Sequence, residues 1–152
     1  MHARSRSGVM LTCAMMAACA AAPLRPTEAE VVKGPVHVTL LLFSGRPDPV
    51  FGVDEKFVVE TLRPRLAGAA PVERAAATAP DLGYHGIRVE NVGGVQGLAR
   101  SLFVFRQDVE VRDDGKASFL RDENASLESA LLQEAVAQRV IDPKVLDAIG
   151  RK

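Results

Sequence analysis

The residues best suited to ligand recognition are Arg46 and Asp48, which lie in the turn segment S-G-R-P-D-P at residues 44–49. Two prolines stiffen this loop, and a rigid loop can present the planar guanidinium of an arginine to a carboxylate or phosphate. The same two residues can instead pair with each other and serve only to reverse the chain. The sequence favours this structural role over a ligand clamp.

A second candidate is the dipeptide formed by Tyr84 and His85, which glycines flank in the segment L-G-Y-H-G at 82–86. Glycine lets a ligand or another backbone segment approach closely. The alternative is a bulge where a strand begins, with Tyr84 packed on the rim of the core, and the sequence favours that alternative. If the two loops converge in space, however, their four polar residues form a ligand site.

The other motifs do not indicate catalysis. His37 and His85 are the only histidines after residue 2, and no H-x-H or H-x-x-x-H spacing suggests a metal site. Ser44 has no G-x-S-x-G context, so a hydrolase is disfavoured. The glycines at 93–97 do not form G-x-G-x-x-G and predict a mobile loop. The sequence therefore leans towards a protein that is not an enzyme, with no metal and no cofactor.

The N-terminal segment has the layout of a secretory signal peptide. Arg4 and Arg6 precede the uncharged stretch 9–18, and small residues follow it. As a helix, ten residues rise about 15 Å, half of the roughly 30 Å hydrocarbon core, so this segment cannot span a membrane alone. We expect a signal peptide over 1–18, followed by a flexible, proline-containing tether over 19–35.

The end of this segment, M-A-A-C at 16–19, resembles the lipobox of bacterial lipoproteins, in which the cysteine is acylated and begins the mature chain. The resemblance implies that Cys19 carries several lipid chains, and two or more chains anchor a protein stably. Met16 stands where the family usually has leucine. In the enterobacterial sorting convention, Ala20 favours the outer membrane. Ordinary cleavage at an A-x-A site is the alternative and predicts a periplasmic or secreted protein.

Cleavage would change the charge and the thiol content. Residues 1–18 contain two of the 19 basic residues and no acidic ones, so 17 basic and 19 acidic residues remain, a net charge of −2. Cys13 and Cys19 both lie at or before the cleavage zone, which leaves no cysteine for a disulfide or a metal. The strand F-V-F-R at 103–106 could stack on nucleic acid, but the acidic balance and the export signal oppose that partner.

The strands expected to position the two loops are short and separated by turn signals. Residues 36–43 predict a central strand that leads into the Arg46 loop, and residues 87–92 predict a second strand after the Tyr84 loop. One long or bulged strand is expected over 101–112. The pair Asp114-Gly115 predicts a hairpin into 117–120. Residues 67–80 are expected to form a surface linker.

Helices are expected on both sides of this run of strands. Residues 55–63 predict a helix that Asp54 caps and Pro64 limits. Residues 126–140 predict a longer helix, capped by Asn124 or Ser126, and a last short helix follows the D-P pair at 142–143. We therefore expect a single α+β domain over 36–152, with a mixed or antiparallel sheet of about four strands, one helix in its N-terminal half and the C-terminal helices packed on it.

Three segments of the domain resemble an uncharacterised group of small proteins. They are F-S-G-R-P-D-P at 43–49, L-G-Y-H-G at 82–86 and L-E-S-A-L-L at 127–132. The group shows F-S-G-R-P-N-P, then L-G-Y-R-G, then a C-terminal helix with Leu-Glu and paired leucines, so Asp48 and His85 are departures. The resemblance implies a shared fold and carries no activity with it.

These observations predict an exported cell-envelope protein that is anchored by lipid and acts as a non-catalytic binding or structural module. Its expected partners are the membrane, through the N-terminal lipid, and an envelope protein or small ligand. The alternative is a soluble periplasmic or secreted protein that binds a small molecule or peptide with the 44–49 and 82–86 loops. A hydrolase ranks last.

Overall fold

A seven-stranded sheet, in which all neighbouring strands are antiparallel, is the centre of the fold in the computed structural model. Its order is β2-β1-β4-β5-β6-β7-β3. The strands are β1 (Val36–Leu41), β2 (Val50–Val53), β3 (Ala70–Val72), β4 (Gly86–Glu90), β5 (Ser101–Phe105), β6 (Asp108–Asp113) and β7 (Lys116–Arg121).

Three helices accompany the sheet. The first, α1, consists of an α-helical turn (Glu55–Phe57), a π-helical segment (Val58–Leu62) and a second α-helical segment (Arg63–Gly68). The second, α2, spans Ser126–Ala137, and the third, α3, spans Pro143–Gly150.

The structure describes residues 32–42, 45–74 and 83–150, which all belong to one compact unit over 31–152. The expected signal peptide, Cys19 and most of the expected tether lie outside the described residues, as does Ser44. Among the described residues, no helix combines the length and the hydrophobicity needed to cross a membrane.

The core lies on one face of the sheet, because alternate residues of a strand point to the same side. In β1 this face carries Val38 and Leu40, and the strand register places them beside Val89 and Ile87 of β4. Helices α1 and α2 add their apolar stripes to the same core cluster. The largest side chains that are almost completely buried are Leu40, Leu62, Ile87, Leu102, Leu127 and Leu131.

The expected fold class, an α+β domain with a sheet of about four strands, is wrong, because the fold is sheet-rich and has seven strands in one antiparallel sheet. Two of the missed strands, β2 and β3, form the edges of the sheet. Strand β3 contains Pro71, which cannot donate a backbone hydrogen bond and is tolerated at an edge. The third missed strand is explained by residues 101–112, which form two strands, β5 and β6, joined by a tight turn.

That turn consists of Arg106 and Gln107, and Arg106 has φ 56°. Two-residue hairpin turns need this left-handed conformation, which Gly, Asn and Asp usually supply. The sequence F-R-Q-D lacks the glycine that signals such a turn. The hairpin at Asp114 and Gly115, which has that signal, is present where the sequence predicts it.

Helix α1 continues past Pro64 to Gly68, although Pro64 was expected to limit it. A proline lacks a backbone donor, and its ring clashes with the carbonyl group four residues earlier in a regular helix. Here the preceding segment is π-helical, and the backbone N–H of Arg63 donates to the carbonyl oxygen of Val58, five residues earlier. This wider turn lets the helix accept the proline.

The glycine-rich loop at 93–97, expected to be mobile, is held by the side chain of Asn91. Its Nδ2 donates to the carbonyl oxygens of Val95 and Leu98, each at 3.0 Å, and its Oδ1 accepts from the backbone N–H of Val95 at 2.7 Å. Val95 and Leu98 are themselves buried. These contacts tie the loop to the end of β4, and its mobility stays a prediction.

Candidate functional site

A cleft of about 640 Å³ opens between the β5–β6 turn, the end of β7 and helices α2 and α3. Its polar lining includes Tyr84, Arg106, Asp108, Arg121 and Glu128. We call it the Glu128 cleft, because the carboxylate of that residue connects the segments that form it. Sites for small ligands commonly have volumes of about 300–1,000 Å³, so the cleft has a suitable size.

The start of α2 is fixed by Asp122, a buried residue at the end of β7. Its Oδ2 accepts from the backbone N–H of Leu127 at 2.7 Å and from the hydroxyl of Ser126 at 3.0 Å. These bonds satisfy a donor that the first turn of a helix leaves without an intrahelical partner, and the negative charge suits the helix N-terminus. Asp122 thus does the capping that was expected of Asn124 or Ser126, while Ala125 occupies the cap position without a side-chain bond.

Glu128, in the first turn of α2, is 9% exposed. Its Oε1 accepts from the hydroxyl of Tyr84 at 2.7 Å and from the backbone N–H of Arg106 at 2.8 Å. One carboxylate oxygen therefore joins α2 to the segment before β4 and to the β5–β6 turn. Two hydrogen bonds to an ionised acceptor offset part of the cost of burying its charge.

The hydroxyl of Tyr84 is held in its protonated form. Burial raises the pKa of Tyr84 well above its ordinary value, and the negative charge of Glu128 and the hydrogen bond to it act in the same direction. The positive charge of Arg106 opposes these effects only in part. The ring of Tyr84 also lies against that of Phe105, with 6.1 Å between centroids. Tyr84 is therefore a fixed hydrogen-bond donor at neutral pH.

Two arginines bring positive charge to the cleft. Arg121 donates from Nη2 to Oδ1 of Asp108 at 3.1 Å, and the Asp108 side chain is only 7% exposed. The guanidinium of Arg106 lies over the ring of Phe105, with Cζ 5.7 Å from the centroid, an arrangement favourable to a cation–π interaction. The lining also includes apolar residues, Leu132 from α2 and Leu146 and Ile149 from α3.

The loops that the sequence singled out both attach to the end of β1. Oδ1 of Asp48 accepts from the backbone N–H of Leu42 at 2.8 Å, and the backbone N–H of His85 donates to the carbonyl oxygen of Leu41 at 2.8 Å. Arg46 is exposed. The two loops are thus fixed to neighbouring residues of the chain, and a ligand site between them stays a prediction.

Of the four residues expected to form that site, only Tyr84 lines the Glu128 cleft. Glu128 and Arg106, which complete its hydrogen-bond network, are not among the residues predicted from the sequence. A signal for Glu128 is present, because it lies three and four positions before Leu131 and Leu132 and therefore within the apolar stripe of α2. An acidic residue in such a stripe needs a buried partner.

The arrangement is suited to binding. A ligand in the cleft would meet the guanidinium groups of Arg106 and Arg121 together with apolar side chains. Within residues 32–42, 45–74 and 83–150, no group of three or more His, Cys, Asp or Glu side chains is placed to hold a metal ion. No protein family matches the chain, and no curated protein or solved structure is significantly similar to it.

Proposed function

We propose that this chain is an exported, lipid-anchored protein of the cell envelope that binds a small molecule or a short peptide in the Glu128 cleft without transforming it. The observation that carries the binding proposal is the double hydrogen bond to one oxygen of the buried Glu128, from Tyr84 and from Arg106. These bonds fix the polar wall of the cleft before any ligand arrives, and a wall fixed in advance lowers the cost of binding.

A non-catalytic role is supported by the state of the same groups. A general base must be able to accept a proton from the substrate near neutral pH. The Glu128 oxygen in the network already accepts from two donors, and the raised pKa of Tyr84 keeps its hydroxyl protonated. Both groups are therefore better placed to shape the cleft than to transfer protons.

Ligand binding can be tested with a set of small molecules of mixed charge, measured by the thermal unfolding midpoint. Ser129 lines the cleft and is exposed, so Ser129→Phe should block it. Ser118, an exposed residue of β7 that does not line the cleft, gives the matched control Ser118→Phe. A ligand at about 100 times its Kd should add about 2.7 kcal/mol to the free energy of unfolding of the wild type and Ser118→Phe.

We expect no such stabilisation in Ser129→Phe. Equal stabilisation of both variants would place binding elsewhere. A set that stabilises none of the three proteins would overturn the binding proposal.

Anchoring has a separate test, which uses labelled fatty acid in a bacterial host. The wild type and Cys13→Ala should incorporate the label, and Cys19→Ala should not. Label in Cys19→Ala would overturn the lipid anchor. Export of an unlabelled wild type would favour the ordinary signal peptide.

A second candidate site consists of the loops that carry Arg46, Asp48 and His85. The specific observation in its favour is the attachment of both loops to Leu41 and Leu42 at the end of β1. Arg46 is exposed there and can reach an anionic group. A ligand whose affinity falls in Arg46→Ala but not in Ser129→Phe would assign binding to these loops.

A further inference from the structure

The acidic groups of the Glu128 cleft are already engaged within the protein. Oε1 of Glu128 accepts from Tyr84 and from the backbone of Arg106, and Oδ1 of Asp108 accepts from Arg121. A cationic ligand that used these two oxygens would have to compete with the internal donors. The negative charges in the lining are therefore poor candidates for recognising a ligand.

The cationic groups retain unused capacity. Within the described part of the chain, the guanidinium of Arg106 forms no salt bridge, and the residue is exposed at the cleft. A guanidinium has five N–H donors in a fixed plane, and the contact of Cζ with the ring of Phe105 uses none of them in a hydrogen bond to an acceptor oxygen. The edge of a guanidinium matches a carboxylate, which can accept two parallel hydrogen bonds.

Arg121 provides a second donor. Its Nη2 is bonded to Asp108, but its buried Nε has no hydrogen-bond partner among the described residues. That Nε is shielded from the cleft, but the Arg121 side chain as a whole is 35% exposed, and one salt bridge leaves other guanidinium donors for a ligand. Arg121 lines the same cleft as Arg106, so both arginines favour an anionic oxygen group.

The apolar lining residues indicate the chemistry of the part of the ligand that does not contact the arginines. Leu132, Leu146 and Ile149 form an apolar surface from two helices, and the α3 residues are only half-buried without a ligand. Covering apolar surface contributes about 25 cal/mol per Å² of area removed from water. A ligand with an apolar body can therefore gain affinity here while its anionic group contacts the arginines.

We propose that the ligand of the Glu128 cleft is an amphipathic organic acid, with its anionic carboxylate or phosphate group at Arg106 and Arg121 and its apolar body against Leu132, Leu146 and Ile149. This inference rests on the proposed binding function and adds the chemical class of the ligand. Such an acid can be a free acyl or aryl carboxylate or an anionic lipid of the membrane surface.

The test uses a matched series in which only the polar group changes: hexanoate, hexanol and hexylammonium, with acetate as the carboxylate without an apolar body. Tyr84 is the only tyrosine and the chain has no tryptophan, so tyrosine fluorescence of the full-length protein reports on the cleft. We expect hexanoate to change this fluorescence with at least tenfold higher affinity than the other three compounds. The same fluorescence measurement with vesicles that contain or lack phosphatidylglycerol tests whether the ligand is a lipid.

Arg106→Gln removes the guanidinium but keeps the backbone N–H that Glu128 accepts from. It should weaken hexanoate at least tenfold, whereas Arg100→Gln, at an exposed arginine that does not line the cleft, should not. Equal or tighter binding of hexanol or hexylammonium would overturn the anionic class and leave the binding function standing. If none of these four compounds bound, while ligands of another class bound the wild type and not Ser129→Phe, the anionic class would again be overturned and the binding function would stand. A response to phosphatidylglycerol vesicles but not to hexanoate would overturn the free acid as the source.

Discussion

Raising the pH above about 10 should remove the contribution that one side chain, Tyr84, makes to the stability of this protein. Burial and the neighbouring Glu128 raise its pKa in the folded chain, whereas a tyrosine in an unfolded chain has a pKa of about 10. Below that pH both states hold the proton, and the contribution of Tyr84 to stability is constant. Above it the unfolded chain releases a proton that the folded chain retains, so the free energy of unfolding falls as the pH rises.

The size of the effect follows from this proton balance. One proton of difference between the two states changes the free energy of unfolding by about 1.4 kcal/mol per pH unit. At pH 11 the folded chain still holds the proton and the unfolded chain has largely lost it, so the loss relative to neutral pH is about 1.4 kcal/mol. The free energy of unfolding of a small domain is about 5–15 kcal/mol, so a loss of about 1.4 kcal/mol is measurable.

Urea unfolding of the wild type and Tyr84→Phe at pH 8 and pH 11 isolates the effect, because every other titratable group is common to both proteins. At pH 8 the variant should be less stable by about 1.5–3 kcal/mol, since it loses a hydrogen bond to a charged acceptor. At pH 11 the difference should be smaller by about 1.4 kcal/mol, because only the wild type has lost the contribution of the phenol.

The absorbance of tyrosinate gives a direct second measurement, since the chain has one tyrosine and no tryptophan. Tyrosinate should form only as the chain unfolds. If it formed with a midpoint near pH 10 while the chain stayed folded, the hydroxyl would be exposed to water and the hydrogen bond to Glu128 would not exist. An equal stability difference at pH 8 and pH 11 would refute the reasoning in the same way.

Three further changes test how the fold holds the site. Asp122→Ala should cost about 1–2 kcal/mol in urea unfolding because it removes the acceptor at the start of α2, whereas Asn124→Ala, at the exposed residue expected to be the cap, should be near neutral. Gly52→Ala should cost about 1–3 kcal/mol because the new Cβ overlaps the backbone that precedes β1, whereas Gly68→Ala meets only open space and should be neutral. Asn91→Ala removes three hydrogen bonds and should speed hydrogen exchange throughout the 93–97 loop, and unchanged exchange would contradict its role.

Sequence patterns predict the strands that have a clear apolar pattern or a recognisable turn signal. They miss the strands that have neither. β1 and the hairpin at Asp114 combine β-rich segments with a recognisable turn. β3 is three residues long and contains Pro71, so only its pairing with β7 makes it a strand. The turn at Arg106 has no glycine, and its conformation is imposed by the pairing of Phe105 with Asp108 across the hairpin. Local signals cannot show pairings of this kind.

The site was predictable only in part for a related reason. Tyr84 stood out because glycines flank it, and its packing on the core rim was one of the two expected arrangements. Its partner Glu128 is 44 residues away, and the bond between them depends on the order of strands and helices. The acidic residue within the stripe of α2 signals a buried partner, but its spacing along one helix does not identify that partner.

Arg106 contributes to the shape and to the charge of the cleft through different groups, whereas Glu128 contributes to both through one side chain. Removing the Glu128 side chain would release both the hydroxyl of Tyr84 and the β5–β6 turn, so it would change the shape and the charge of the cleft together. Arg106 contributes to the shape through its backbone N–H, which survives in any variant but proline, and to the charge through its side chain. A loss of carboxylate affinity in Arg106→Gln with an unchanged free energy of unfolding would therefore be an effect of the lost guanidinium on the ligand and not on the fold. The same loss with lower stability would show that the guanidinium also holds the turn in place.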